Sequence, residues 1–409
     1  MIIKEAKAEI ILNSREETTI CFSIRTDKGK FKTSAPSGKS RGRYEAKPWG
    51  SSILHDVDIL NEFKIFRIDN IGDIERVSRV YGKLIGANSR FVLEASLLKA
   101  LAKEHGMELW QLLGNFGKGK GKVKKKIKMP MPVGNAIGGG LHSSYGMEIE
   151  EGPEFQEFLF IPLPNHRAKT FKEAVKLNDM AYRMAGEELK KFDPDFEGRR
   201  NDEGAWKTFL ANEHVLKIMY IIAKKLNIRI GIDAAASSFY DSFYNYKERK
   251  LNDLSQVKLM QHLISEYELF YVEDPIDEKE FYWFGKLMED IKYSGSGTNV
   301  LIVGDDLTAT NFSRLKKAIR KKSINAIIIK PNQNGSIFET AKVVKLAREH
   351  NIKIIVSHRS GETMDDTIAD LAVTWQADFI KCGIHGKERR AKLKRIMEIE
   401  RKIRGKKNQ

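Results

Sequence analysis

The sequence lacks the features that mark secreted and membrane proteins. Only two of its 409 residues are cysteines, Cys21 and Cys382. They lie too far apart to indicate a disulfide framework, and this favours a reducing compartment. The first residues carry charges where a signal peptide needs an apolar core. No apolar run approaches the roughly 20 residues of a membrane span. We therefore expect a cytoplasmic protein that does not enter a membrane.

Acidic residues are too few to balance the basic ones. The chain has 71 Lys and Arg against 55 Asp and Glu, a formal net charge of +16. Such an excess is compatible with a nucleic-acid partner, an anionic substrate or a Lys-rich surface. A Lys/Gly run between Lys118 and Lys128 reads as a solvated connector and domain boundary, or alternatively as a nucleic-acid contact. The short tail from Lys402 to Lys407 is basic as well.

Two patterns divide the chain near that run. Residues 8–13, 18–27 and 29–35 alternate apolar with polar side chains, which predicts a small antiparallel meander. Apolar residues then recur at helical spacing over residues 56–114. We therefore expect a small α+β domain over residues 1–125 and a second domain over residues 126–409.

The second domain shows short apolar segments alternating with helical patterns, and six of these segments end in an ionisable residue. The terminators are Asp233, Glu273, Asp305, Lys330, His358 and Lys381. Strands that repeat in this way predict an α/β fold with a C-terminal (β/α)8-type barrel whose site lies at the carboxyl ends of its strands. An open doubly wound sheet is the rival, but the Gly-rich dinucleotide turn typical of that fold is missing.

The acidic residues among these strand terminators suggest a metal site. Three carboxylates, Asp233, Glu273 and Asp305, would repel one another around a barrel mouth unless a cation lay among them. Oxygen ligands without a Cys or His cluster favour Mg2+ over Zn2+. The simpler alternative is that each acid caps the helix that follows its strand. Three acids in register favour the metal.

Basic side chains complete a possible elimination site. Lys330 and Lys381 follow strands that end at the same mouth, where a nearby metal and partial desolvation would lower the pKa of an amine and allow it to act as a base. Glu203, on a polar loop, is a candidate opposing acid, and the pair suits loss of water. Arg359 and Ser360 suit a phosphate. Each of these residues could instead be an ordinary surface or strand-end group.

Several motifs resemble those of the enolase family. The longest are Gly231-Ile-Asp233-Ala-Ala-Ala-Ser-Ser-Phe-Tyr, Val272-Glu273-Asp274-Pro275, Gly304-Asp305-Asp306-Leu-Thr-Ala-Thr-Asn, Lys330-Pro-Asn-Gln-Asn-Gly-Ser and Ser357-His358-Arg359-Ser360-Gly-Glu-Thr. Shorter matches extend the resemblance over nearly the whole chain. It implies a phosphopyruvate hydratase, a lyase of glycolysis, that converts 2-phosphoglycerate to phosphoenolpyruvate and forms a homo-oligomer, commonly a dimer or octamer.

The resemblance also assigns roles by position and implies two Mg2+ per site. Asp233, Glu273 and Asp305 would hold the first ion and Ser40 the second. Lys330 would remove the proton from C2, and Glu203 would protonate the leaving hydroxyl. Lys381 would face the substrate carboxylate, and Arg359 and Ser360 would bind the phosphate. His142, Glu157 and His358 match supporting positions.

Two loops depart from the family pattern. Lys39 and Arg41 add charge to the loop Gly38–Gly42, and the segment around His142 is longer. These changes motivate a second hypothesis, a diverged paralogue that acts on another phosphorylated or carboxylated hydroxy acid. The Lys118–Lys128 run and the basic tail motivate a third, a non-catalytic RNA-binding protein.

Overall fold

A computed structural model describes residues 1–39, 42–64, 67–115, 127–140, 152–293 and 299–405. Ser40, His142 and most of the Lys118–Lys128 run lie outside this part of the chain. The proposed domain boundary at residue 125 also falls outside it and remains a prediction. Within the described residues, none of the helices is both long and apolar enough to cross a bilayer.

The amino-terminal region contains the predicted meander. Its strands are β1 (Glu5–Leu12), β2 (Thr18–Thr26) and β3 (Gly29–Ser34), joined antiparallel in that order. The helical periodicity after them corresponds to α1 (Ile53–Asn61), α2 (Ile71–Tyr81), α3 (Ala87–Glu104) and α4 (Leu109–Asn115). Helix α2 begins with a capping box, in which Asn70 and Asp73 each accept a backbone N–H of the other. Helix α3 is buried along most of its length and packs on β2 and β3.

The rest of the described chain forms a closed barrel, which confirms the predicted fold class. Its strands are β4 (Met131–Gly138), β5 (Glu157–Ile161), β7 (Arg229–Asp233), β10 (Tyr271–Glu273), β11 (Leu301–Gly304), β12 (Ala326–Ile329), β13 (Lys353–Ser357) and β14 (Phe379–Lys381). Pairing of β14 with β4 closes the ring. Three short strands are not part of the ring: β6 (Trp206–Lys207), which pairs with β4, and β8 (Tyr244–Asn245) and β9 (Lys250–Leu251), which pair with each other.

One strand differs from an all-parallel barrel. Strand β5 runs antiparallel to both β4 and β7. Its first residue, Glu157, pairs with Asp233, the last residue of β7. A reversed strand presents its amino end where its neighbours present their carboxyl ends, so Glu157 reaches the same mouth as the strand terminators.

Helices cover the outside of the barrel. They are α5 (Phe171–Phe192), α6 (Asn212–Leu226), α7 (Asp253–Glu266), α8 (Phe281–Tyr293), α9 (Phe312–Lys321), α11 (Ile337–Glu349), α12 (Thr367–Thr374) and α13 (Lys387–Gly405), whereas the short helix α10 (Pro331–Asn334) follows Lys330 at the mouth and contacts the amino-terminal region. Helix α5 starts with a capping box between Thr170 and Glu173. Helix α6 ends at Asn227, whose φ of 54° is the left-handed conformation common after a helix.

The two regions contact each other closely beside the barrel mouth. The backbones of Ser37 and Gly361 exchange hydrogen bonds, each with an N···O distance of 2.8 Å. The Lys99 ammonium on α3 pairs with Asp365 of the barrel at 2.7 Å. Gly335, with φ of 80°, lies against Ala87 at the start of α3, where a Cβ would come within 2.5 Å of the Ala87 Cα. The amino-terminal region therefore forms one wall of the mouth.

Candidate active site

A polar cavity lies at the mouth, where all six predicted strand terminators converge. Asp233, Glu273 and Lys381 end their strands, and the other three follow directly after theirs. Five of the six line the cavity, namely Asp233, Asp305, Lys330, His358 and Lys381, and Glu273 contacts Lys381 beneath them. The loops contribute Glu203, Arg359 and Ser360, and β5 contributes Glu157.

The Lys381 ammonium is buried among three carboxylates. Its Nζ lies 2.9 Å from Asp233 Oδ2, 2.8 Å from Glu273 Oε2 and 3.2 Å from Glu157 Oε2. Burial alone would lower the pKa of this amine, but the surrounding carboxylates raise it well above its ordinary value. Burial and the Asp233 charge raise the pKa of Glu273 to about 8. Lys381 thus neutralises part of an acidic cluster.

Lys330 forms a second such pair, with the carboxylate of Asp305. Burial opposes the charge of Lys330, but Asp305 outweighs it and raises the pKa of the amine. Burial likewise raises the pKa of Asp305, while Lys330 holds it below its ordinary value. Without a bound metal, neighbouring carboxylates outweigh desolvation and raise the pKa of both amines, so the expected lowering depends on a nearby cation.

Glu203 and His358 face each other on another side of the cavity. Glu203 Oε2 accepts a hydrogen bond from Asn135 Nδ2 at 3.2 Å and lies 3.9 Å from His358 Nε2. Burial lowers the pKa of His358 well below its ordinary value, so the imidazole is neutral. Its Nδ1 is buried and has no hydrogen-bond partner among the described residues. A neutral imidazole forms no ion pair with the Glu203 carboxylate.

Arg359 and Ser360 lie where the barrel meets the amino-terminal region. The Arg359 guanidinium pairs with Glu45 at 3.0 Å, and each side chain is 5% exposed. Ser360 Oγ accepts hydrogen bonds from the backbone N–H of Lys39 at 2.7 Å and from Arg15 at 3.3 Å. Since both contacts use its lone pairs, the hydroxyl proton of Ser360 remains available to a ligand oxygen.

The structure adds residues to which the sequence analysis gave no role, and Asp274 and Asp306 are two of them. Asp274, Asp305 and Asp306 present carboxylate oxygens within 4.8 Å of one another. Asp274 accepts the backbone N–H groups of Asp305 at 3.1 Å and Asp306 at 2.6 Å, so it orients the segment that carries them. The paired acidic residues at 273–274 and 305–306 were the sequence signal from which Asp274 and Asp306 could have been assigned to the site. Glu45 had no such signal, because its contact with Arg359 joins segments distant in sequence.

The buried oxygens of three acidic residues form a donor set for a metal. Asp233, Glu273 and Asp305 offer only carboxylate oxygens, the ligands of hard divalent ions. Glu273 Oε1 is buried and has no hydrogen-bond partner among the described residues. An orphaned carboxyl oxygen in a cluster held together by two ammonium groups fits a divalent cation.

Comparisons with known proteins agree with this geometry. Residues 126–408 match the family model described as "Enolase, C-terminal TIM barrel domain". The chain is 33% identical to the enolase of Methanothermobacter thermautotrophicus, with 98% of this chain and 97% of that protein covered. It is 34% identical to the enolase of Archaeoglobus fulgidus, with coverages of 98% and 97%. It is 35% identical to the enolase of Natronomonas pharaonis, with coverages of 98% and 99%.

Proposed function

Because the chain belongs to the enolase family of phosphopyruvate hydratases, we propose that it dehydrates 2-phosphoglycerate to phosphoenolpyruvate, with Lys330 as base and Glu203 as acid. The observation that carries this proposal is the placement of the two groups. Lys330 and Glu203 line one cavity, on different elements, and neither is exposed. An elimination needs a base at one carbon and an acid at the leaving group of the next. The full-length likeness to proteins named enolase does not favour the paralogue or RNA-binding hypotheses.

Asp233, Glu273 and Asp305 would hold one Mg2+, and Ser40, outside the described residues, a second. A bound divalent cation supplies positive charge for the carboxylate of the substrate as its α-proton leaves. The side chain of Lys330 must first release its proton and its bond to Asp305. Lys381 would contact the substrate carboxylate. Among the described residues, it is the one cation that contacts Asp233, Glu273 and Glu157 together.

The phosphate end of the substrate would lie at Arg359 and Ser360. Arg359 offers a planar fork of donors, which suits two phosphate oxygens. Its bond to Glu45 would have to be exchanged for the phosphate. Ser360 contributes its hydroxyl proton. Glu157 and His358, which face Lys381 and Glu203, would support these groups, and His142 lies outside the described residues. We also propose a homo-oligomer, a dimer or octamer.

The test is a phosphoenolpyruvate assay on the purified protein with and without Mg2+. We expect Mg2+-dependent turnover, with 2-phosphoglycerate preferred over a panel of other phosphorylated or carboxylated hydroxy acids. Lys330→Ala should lower kcat by at least about a hundredfold, the scale of a lost general base. Lys353→Ala is the matched control, since Lys353 lies at the opposite end of a barrel strand and is largely exposed. Turnover that survives in Lys330→Ala would refute the assignment of the base.

A further inference from the structure

Arg389, on helix α13, joins three segments that are far apart in sequence. Its guanidinium donates to the carbonyl oxygen of Ser360 at 2.6 Å and to that of Asp202 at 3.3 Å. The same group donates to the hydroxyl of Ser14 at 3.3 Å. The side chain is 2% exposed and is among the largest fully enclosed side chains of the described chain. Gly383 leaves room for it, because a Cβ there would come within 2.9 Å of the Arg389 Cγ.

No carboxylate of the described residues is in direct contact with the Arg389 guanidinium. Its three acceptors are neutral oxygens, and among the described residues it forms no ion pair. Other arginines of α13 differ: Arg390 pairs with Asp179, and Arg395 pairs with Asp370 at 2.7 Å. The Nε of Arg389 is also buried and lacks a hydrogen-bond partner among the described residues. A buried cation without an ion-pair partner is costly. An anionic ligand bound at the site would lower this cost, because its negative charge would offset the positive charge of Arg389.

Two of the three segments lead directly into the proposed site. Asp202 precedes Glu203, and Ser360 contributes its hydroxyl to the phosphate end. Arg389 holds the backbone of both, and it contacts neither the cavity nor its ligand. A shift of either loop would move the Glu203 carboxyl group relative to the phosphate end of the site at Ser360. Small displacements of reacting groups reduce rates strongly.

We propose that Arg389 is a positioning residue that fixes the Asp202–Glu203 turn and the Ser360 loop relative to each other, with its unpaired charge favouring an anion at the phosphate end. The inference rests on the proposed function for the roles of Glu203 and Ser360. The charge of Arg389 and its hydrogen bonds thus have separate roles, although the side chain lies outside the cavity.

Variants of the full-length protein separate these claims. Arg389→Met removes charge and hydrogen bonds, while Arg389→Lys keeps the charge but cannot span both carbonyl groups. We expect Arg389→Met to weaken binding of inorganic phosphate, measured by calorimetry, about tenfold, and to lower kcat about tenfold or more. Arg389→Lys should recover most of the phosphate affinity but not kcat. Arg390→Met, on the same helix, should change neither quantity.

Circular dichroism and thermal unfolding establish that each variant is folded. Unchanged phosphate affinity and kcat in folded Arg389→Met would overturn the proposal, whatever its melting temperature. If that variant does not fold, Arg389→Lys decides alone, and a normal kcat there would overturn the positioning role. Should the wild type fail to convert 2-phosphoglycerate, the proposed function fails, while the phosphate titration still decides whether the Arg389 charge favours an anion.

Discussion

The Lys381 ammonium should substitute for a cation in the metal-free protein, and this can be measured as stability. Lys381→Met leaves Asp233, Glu273 and Glu157 buried around a lost charge that lay 2.8 to 3.2 Å from each. Removal of one partner from a buried ion pair typically costs about 3–5 kcal/mol. We therefore expect a loss of about that size in the free energy of unfolding when a chelator is present.

Mg2+ should restore much of this loss. A ligand that binds only the folded state adds about 2.7 kcal/mol at a hundred times its dissociation constant. In the variant, the ion would no longer compete with an ammonium for Asp233 and Glu273. The increment in unfolding free energy on addition of Mg2+ should therefore be larger in Lys381→Met than in the wild type.

Urea unfolding at fixed pH, with chelator or with saturating Mg2+, measures both quantities. Lys392→Met is the matched control, because Lys392 is equally buried and pairs with Glu362 at 2.6 Å, away from the three carboxylates. It should lose stability by a similar amount with or without Mg2+. An equal loss for Lys381→Met under both conditions would show that its carboxylates do not form the cation site.

Two further predictions concern the contact between the amino-terminal region and the barrel. Asp365→Asn should cost about 2 kcal/mol near neutral pH, the scale of a hydrogen bond to a charged group. Burial raises the pKa of Asp365, but Lys99 outweighs it and holds the pKa below its ordinary value of 3.8. The stability from this pair is therefore present above pH 3.8 and lost as the pH falls through the lower folded pKa. Urea unfolding curves of variant and wild type should converge in acid, and a constant difference down to pH 2 would contradict the pairing. Gly335→Ala should destabilise by at least about 2 kcal/mol, because it combines a left-handed backbone with a clash against Ala87. Gly106→Ala shares the left-handed φ but has nothing within 4 Å of its Cβ, so thermal unfolding should show a smaller loss there, and equal losses would exclude the clash.

The sequence predicted the barrel because each strand carried its own local signal. Apolar β-branched segments such as 326–329 and 353–357 are followed directly by an ionisable residue, and these segments became β12 and β13. The meander and the helices within residues 56–114 followed from periodicity in the same way. The reversal of β5 was not predicted, because a strand has the same alternation of side chains in either direction.

The convergence of strand-end residues followed from the fold, whereas the contacts between loops did not. Parallel strands bring their terminators to one mouth, so Asp233 and Lys381 meet although 148 residues separate them. Glu45 reaches Arg359 across 314 residues without any pattern that marks it. Arg389 resembles the other cations of a basic helix in sequence, and only packing distinguishes it. The catalytic roles remain predictions.

The direction of β5 determines where the chain tolerates change in length. Because β4 ends at the mouth and β5 begins there, the connection over residues 139–156 leaves and returns at the same rim. In a parallel pair, a connection of this kind would have to travel to the far end of the barrel and would include a covering helix. An insertion between these two strands would therefore begin and end beside the proposed site, which makes this rim a place where a relative could acquire a different substrate preference.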